Sequence, residues 1–245
     1  MWDEAGVGRY EAWFETREGA FAFAQERRLL ERLMSPWPRR GQKLLEVGCG
    51  PGRFLEMFWE AGFDVTGLDS APFMLKKARE RLGPHASFNL GKAEHLPFDD
   101  KEFDFVALLT VLEFCSEPAR ALLEAVRVAR KGIIVSFLSR YSFYYLEEVK
   151  AKAKAKAGSL SQAHWFTCRE MRRLLSSCVG LKPFQGRSVL PGPKWSWRNA
   201  PPWRWINGIV YPLGLGAYCA MRVDLVGEKA MTPLYSFKTE PNLSG

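Results

Sequence analysis

Residues 43–54, KLLEVGCGPGRF, restrict the fold more than any other stretch of this chain. Leu44, Leu45, Glu46 and Val47 read as a short buried strand. The run breaks at Gly48, Cys49, Gly50, Pro51 and Gly52, and a helix pattern covers 53–61. Strand, glycine turn and helix open a nucleotide-binding βαβ unit. Glycine has no Cβ, so it reaches positive φ and lets backbone N–H groups come close to a ligand. The helix start adds partial positive charge and unpaired donors. The spacing is E-x-G-x-G-x-G, with an acid near the end of the strand, and differs from the dinucleotide pattern G-x-G-x-x-G. An acid there suits a ligand with an ammonium group and no pyrophosphate.

The following segments repeat the alternation. A strand over 63–68 ends at Asp69, 17 residues beyond Gly52, where an acid can take two ribose hydroxyls. A helix over 71–82 has Ser70 as its expected N-cap and Gly83 as its stop. A strand over 87–90 leads into a 92–97 loop, and a strand over 103–109 precedes a helix over 118–130 with Ser116 as its expected cap. Gly132 is expected to end that helix ahead of a strand over 133–137. Alternating β and α predicts a doubly wound, mostly parallel sheet with helices on both faces. Ahead of it, 10–34 reads as one or two helices with Phe14, Phe21, Leu29, Leu30 and Leu33 on one side, stopped by Ser35-Pro36-Trp37-Pro38.

Four stretches in this order, LLEVGCGPG (44–52), GLDSAPFMLKKAR (67–79), KAEHLPF (92–98) and FDFVALLTVLEF (103–114), resemble the class I S-adenosylmethionine-dependent methyltransferases, in the type 11 group. The resemblance covers roughly residues 10–137. It implies a seven-stranded α/β sheet with its last two strands, at 189–190 and 217–226, paired antiparallel at the edge, and S-adenosyl-L-methionine as cofactor. Carried over residue by residue, it implies that Gly48, Cys49, Gly50 and Gly52 form the turn under the methionine and ribose, and that Glu46 orients that turn or pairs indirectly with the ammonium. Asp69 takes the ribose hydroxyls, Ser70 and Met74 lie along the adenine, Ala93 offers it an N–H, and Thr110 faces the amino-acid part. Tyr10 either contacts the cofactor or packs in the core. Lys92 departs from the pattern, since the family often has an acid there and lysine cannot accept a hydrogen bond; Glu94 takes that role or the contact is missing. Cys49 reads as a small turn residue rather than a nucleophile, with nothing basic beside it.

Methyl transfer from a sulfonium is an in-line displacement, so the protein must align donor and acceptor and exclude water, and no catalytic residue is obligatory. The candidate base is Glu113, after the fourth strand, against the alternative of a helix-start acid paired with Arg120. Arg140, Tyr141 and His164 are candidates for the acceptor pocket, and His95 reads as a surface residue. Segments 1–35, 138–166 and 185–212 are rich in Trp, Phe and Tyr, which suits an apolar or aromatic acceptor.

The divisions expected are a helical cover over 1–40, a cofactor-binding core over 41–137, an insertion over 138–166, a closing helix and strands over 167–228 and a tail over 229–245, all in one domain. Within the insertion, residues 150–157 alternate Lys and Ala, a composition expected to give a solvated helix end. Thr167 to Glu170 spell a capping box for a helix over 169–178. The formal net charge of +8 suits a solubilising surface first, then an acidic substrate, a nucleic acid or an anionic membrane. Trp195 and Trp197 beside Lys194 and Arg198 suit either a membrane interface or a proline-braced packed loop. Five scattered cysteines without a C-x-x-C pair make neither a disulfide framework nor a metal site, and the expected compartment is the cytoplasm. The apolar run 206–221 is interrupted by glycines and a proline and falls short of the ~18–20 residues of a membrane span. The leading functional expectation is a methyltransferase acting on a small-molecule or lipid-like acceptor, as a monomer or homodimer. An RNA or protein methyltransferase is the alternative, with nucleic acid open but not favoured. The alternative of another class is a regulatory protein that binds the cofactor or its demethylated product without transfer.

Overall fold

The structure, a computed structural model, describes residues 3–153, 163–180 and 182–226. Eight strands form one sheet: β1 (Lys43–Val47), β2 (Asp64–Asp69), β3 (Ala86–Leu90), β4 (Phe103–Leu109), β5 (Ala129–Leu138), β6 (Phe184–Val189), β7 (Tyr211–Pro212) and β8 (Tyr218–Asp224). Their spatial order is β3-β2-β1-β4-β5-β8-β6-β7. Strands β1 to β5 pair in parallel, whereas β8 pairs antiparallel with both β5 and β6. The expected doubly wound sheet is therefore present. It has eight strands where seven were expected, because Tyr211 and Pro212 add a two-residue edge strand against Ser188 and Arg187.

The helices are α1 (Glu4–Glu15), α2 (Arg17–Leu33), α3 (Arg53–Glu60), α4 (Pro72–Leu82), α5 (Pro118–Val128), α6 (Phe143–Ala153), α7 (Cys168–Val179) and α8 (Trp203–Asn207). They cover the sheet on two faces, and the strand sequences show why. In β1, Leu44 faces one apolar cluster and Leu45 the other; in β4, Phe105, Ala107 and Leu109 alternate with Val106 and Leu108 in the same way. Alternate residues point to opposite sides of a strand, so a strand buried on both sides is mostly apolar, and the one charged residue of β4, Asp104, accepts from Lys43 N–H at 3.0 Å and pairs with Lys131 at 3.0 Å. All seven residues of β4 are buried. The first cluster takes in α2 and α3, with Leu29, Leu30, Leu55 and Phe58; the second takes in α5 and α7, with Leu122, Ala125, Met171 and Leu175.

The N-terminal pair is tied down at several points. Thr16 ends α1 and caps α2, its Oγ1 accepting from Gly19 N–H at 3.0 Å. Glu11 on α1 accepts from Arg53 at 2.8 and 3.1 Å and from Arg81 at 2.6 Å, which joins α1 to α3 and α4. Arg222 on β8 donates to Leu33 O at 2.6 Å, and Trp37 Nε1 donates to Asp224 at 2.8 Å.

Three expected details are corrected. Gly132 does not stop a helix: α5 ends at Val128 and Gly132 lies inside β5. A Cβ there would meet Trp37 at 2.9 Å and Val223 O at 3.1 Å, so the glycine makes room for the indole. Ser70 does not cap α4, whose N-cap is Ala71; Asp69 Oδ1 instead accepts from Ala71 N–H at 2.8 Å. Ser116 does not cap α5, and donates N–H and hydroxyl to Glu94 at 3.0 and 3.1 Å. The capping box at Thr167 and Glu170 forms as expected, with bonds of 3.1 and 2.7 Å. Residues 154–157 of the Lys-Ala run and the tail over 229–245 lie outside the described residues.

Gly132→Ala is expected to destabilise the protein by about 1–3 kcal/mol, the usual cost of forcing a methyl into a packed site. Equilibrium urea denaturation reads this directly, and an unchanged midpoint would show that Trp37 yields without cost.

Candidate active site

The strand order reverses between β1 and β4, with β2 and β3 on one side and β5 on the other, and ligands of open α/β sheets bind where the order reverses at the carboxyl ends of the strands. A cavity of about 870 Å³ opens there. Its wall includes the turn after β1 (Gly48, Cys49, Gly50, Pro51), Asp69 and Ser70 after β2, Ala93 and Glu94 after β3, and Thr110 after β4.

The turn is built by backbone bonds. Gly48 N–H and Cys49 N–H both donate to Leu68 O, at 2.7 and 3.0 Å. Gly48 has φ +71°, and a Cβ on it would meet Val111 Cγ2 at 2.3 Å, so only glycine fits. Gly50 N–H donates to Asp69 Oδ2 at 2.8 Å. Asp69 thus has each oxygen bonded to one backbone N–H, and each oxygen keeps a lone pair for a further donor. Burial pushes the Asp69 carboxyl up, and the N–H bonds from Ala71, Gly50 and Ser70 oppose that. Glu46, on the last turn of β1, is 2% exposed with Oε2 unpartnered among the described residues; burial, and then the charge of Asp69, hold its carboxyl well above the ordinary range. The same burial, reinforced by Glu46 and Asp69, pushes the Cys49 thiol well up, so it stays a thiol. Thr110 is held at φ +52°, its N–H donating to Ser136 O at 3.2 Å and Ser136 Oγ at 3.1 Å. A non-glycine residue in that region stores of order 1–3 kcal/mol of strain, a cost met mostly at functional sites.

The sequence-predicted residues divide into two sets. Tyr10, Glu46, Gly48, Cys49, Gly50, Asp69, Ser70, Met74, Ala93, Glu94 and Thr110 all line the cavity, and so does Lys92. Gly52 does not: at φ +81° it starts α3, with Leu82 and Ala78 of α4 filling the space beside it. Glu113, Arg140, Tyr141 and His164 are also absent from the wall. Three of these meet one another at a junction behind it. Glu113 is 2% exposed, and its Oε1 accepts from Leu138 N–H at 2.8 Å while its carbonyl accepts from His164 N–H at 2.8 Å. The Arg140 guanidinium donates to Trp165 O at 2.7 and 3.0 Å and pairs with Glu170 at 3.4 Å. Tyr141 is 79% exposed. Arg120, the alternative partner of Glu113, contacts the exposed His95 instead.

The far end of the cavity holds residues that the sequence did not assign to the site: Trp13, Phe23 and Glu26 from the N-terminal helices, Tyr144 and Glu148 from α6, Lys194 and Trp197 from the loop after β6, and Tyr218 from β8. Tyr144 packs on Trp197 with ring centroids 5.1 Å apart. All of these except Tyr218 come from the three aromatic-rich segments expected to shape an acceptor pocket. Among the described residues no group of three or more His, Cys, Asp or Glu could hold a metal ion, and no helix is long and apolar enough to cross a membrane.

The near end fits a ligand with vicinal hydroxyls and a cationic amino-acid part: Asp69 has free lone pairs, the orphaned Glu46 oxygen sits under the turn, and the glycines leave the backbone open. Residues 45–137 match the family model of a methyltransferase domain. Malonyl-[acyl-carrier protein] O-methyltransferase of Serratia marcescens is 39% identical over 117 residues, 47% of this chain and 46% of that one, so the match spans just under half of that relative. An uncharacterised protein of Methanocaldococcus jannaschii is 33% identical over 184 residues, 74% of this chain and 81% of its own length. A Thermotoga maritima crystal structure, described as a SAM-dependent methyltransferase and possible histamine N-methyltransferase, superposes with a TM-score of 0.72 at 27% identity, over 91% of this chain and 98% of that one. The chain belongs to the class I S-adenosylmethionine-dependent methyltransferases, in the type 11 group. The donor used by that family is S-adenosylmethionine, whose sulfonium makes the methyl carbon electrophilic.

Burial raises the Glu113 carboxyl to about 8, against partial lowering by the Leu138 N–H. A carboxyl whose folded value is raised is neutral in both states below about 4.5. It costs stability as pH climbs from there through about 8, because the unfolded chain ionises first. Glu113→Gln keeps the acceptor for Leu138 N–H and removes the ionisation. The variant is expected to melt higher than wild type at pH 8, with the gap closing towards pH 5, as followed by thermal denaturation. A gap independent of pH would contradict this.

Proposed function

We propose that the protein transfers the methyl group of S-adenosylmethionine to a small-molecule acceptor with an apolar or aromatic body. The observation that carries this is the continuity of one cavity, with the glycine turn, Glu46 and Asp69 at one end and Trp13, Phe23, Tyr144 and Trp197 at the other. On this reading Asp69 accepts from the ribose hydroxyls, Gly48, Cys49 and Gly50 lie under the methionine and ribose, and Glu46 sets the charge beneath the amino-acid part. Ser70, Met74, Ala93 and Glu94 flank the adenine, Tyr10 covers the cofactor from α1, and Thr110 faces the amino-acid part from β4. The aromatic wall excludes water and holds the acceptor in line, which supplies much of the rate enhancement in a displacement whose electrophile is already activated.

Titration calorimetry tests the cofactor end. Wild type is expected to bind S-adenosylmethionine and its demethylated product in the micromolar range. Asp69→Ala should bind each at least tenfold more weakly, about 1.4 kcal/mol. Because Asp69 also braces the turn, Asp69→Asn is the companion variant: it keeps one acceptor oxygen and should fall between the two. Folded wild-type protein that binds neither compound would overturn the proposal.

A further inference from the structure

The far end of the cavity contains a carboxylate that nothing else in the site explains. Glu26 on α2 lines the cavity and makes no hydrogen bond or ion pair among the described residues. The cations on the same wall are Arg9, Arg53, Lys92 and Lys194, and none is within ion-pair reach of it. Arg53 is taken by Glu11, and Lys194 Nζ sits 4.3 Å from the centroid of the Trp13 ring. Glu26 lies where Tyr10 of α1, Tyr144 of α6 and Tyr218 of β8 converge, and Glu46 of β1 acts on Tyr10 and Tyr218 as well. The Tyr218 hydroxyl is buried and lies beside the Ser136 side chain. Glu148 also lines the cavity and acts on Tyr144, and Lys194 acts on Glu148 in turn. This end therefore presents two carboxylates and a buried hydroxyl within aromatic walls.

A half-buried carboxylate without a partner is costly unless a ligand pairs with it. An acidic acceptor would meet Glu26 as a like charge, and the hydroxyl of a phenol or alcohol would give it a hydrogen bond but no opposite charge. An ammonium group answers both the charge and the aromatic walls, since cations are drawn to ring faces. Lys194 over Trp13 is a cation of the chain's own that already takes this position.

Resting on the methyltransferase reading, we propose that the acceptor is an amine whose nitrogen binds between Glu26 and the walls of Trp13, Tyr144 and Trp197, and that Glu26 is its base. An ammonium has no lone pair to attack with, so one proton must leave first, and it passes to the Glu26 carboxylate. The nitrogen lone pair then forms the N–C bond to the methyl carbon as the C–S bond breaks and its electron pair stays on sulfur. The methylated nitrogen carries the positive charge away from the sulfur, and the proton on Glu26 is lost to solvent. Burial supports the role of Glu26 by raising its carboxyl to about 8, close to what a base needs near neutral pH.

The test is calorimetric titration of three matched pairs into protein saturated with S-adenosylhomocysteine: 2-phenylethylamine with 2-phenylethanol, tryptamine with tryptophol, and octylamine with octanol. In at least one pair the amine is expected to bind tenfold or more tightly than its alcohol. In the unliganded protein at pH 6.5 Glu26 is mostly protonated, so binding the ammonium expels a proton, and the preference should grow about tenfold between pH 6.5 and pH 8. Glu26→Gln should abolish the preference and its pH dependence while leaving S-adenosylhomocysteine binding within twofold. Equal binding or no binding of amine and alcohol in all three pairs, or a preference that survives in Glu26→Gln, overturns the amine proposal while the cofactor reading stands. If S-adenosylhomocysteine itself fails to bind, both fall. The wild-type preference and its pH dependence need no variant, so the test holds even if Glu26→Gln does not fold.

Discussion

The Asp69 carboxylate holds two loops in register. One oxygen accepts from Gly50 N–H in the turn after β1, and the other from Ala71 N–H at the start of α4. Gly48 and Cys49 bind back to Leu68 in the same strand end. The turn is thus fastened to β2 by three backbone donors, two to a carbonyl and one to a carboxylate. This explains how a chain can keep glycines at three positive-φ positions, which are costly in conformational entropy, and still present a preformed cradle. It also explains why an acid belongs at this place before any ligand arrives. The carboxylate is fixed by its neighbours, so a ligand that uses its remaining lone pairs meets a group already aimed.

The cofactor half of the site was legible in the sequence because its function rests on backbone shape. Glycines, an acid at a strand end and apolar strands are local signals, and parallel pairing buried on both sides leaves few ways to arrange them. Asp69 and Gly48 could be placed on that basis. Gly132 was misread for the complementary reason. It looks like a helix stop in sequence, but its absent side chain makes room for Trp37, a residue from a segment 95 positions earlier, and no local pattern carries that. Ser70 and Ser116 fit capping rules, yet Asp69 takes the N–H of Ala71 at the helix start and Ser116 gives its own hydroxyl to Glu94.

The acceptor half was legible only as composition. Its walls come from α1, α2, α6, the loop after β6 and β8, elements that no short motif links. The sequence pointed to three aromatic segments but could not choose among their residues. It preferred Glu113 and Arg140 because they follow strands at the ligand end of the sheet, and His164 because it precedes Trp165 and Phe166. In the fold these side chains and backbones turn inward on each other, tying the end of β5 to the segment before α7. Glu26 gave the opposite impression, since an acid on an amphipathic helix reads as part of the solvent face. What distinguishes it is that α2 packs across β6 and β8, so a flank of the helix that would otherwise be wet borders the cavity.

The two halves also differ in how they treat charge, and that difference bears on selectivity. At the cofactor end, Asp69 is met by backbone N–H groups, which are fixed dipoles that do not move when a ligand binds. At the far end, Glu26 is met by tyrosines and by no cation, so its charge state is set by whatever enters. A preformed cradle thus sits beside an acid that no cation of the described residues pairs with. Neutral compounds of similar size would give Glu26 no opposite charge and acidic ones would repel it, a penalty of the kind that lets sites built around polar groups reject near-isosteres. Discrimination among acceptors then depends less on the shape of the aromatic walls than on whether the incoming group can satisfy one carboxylate.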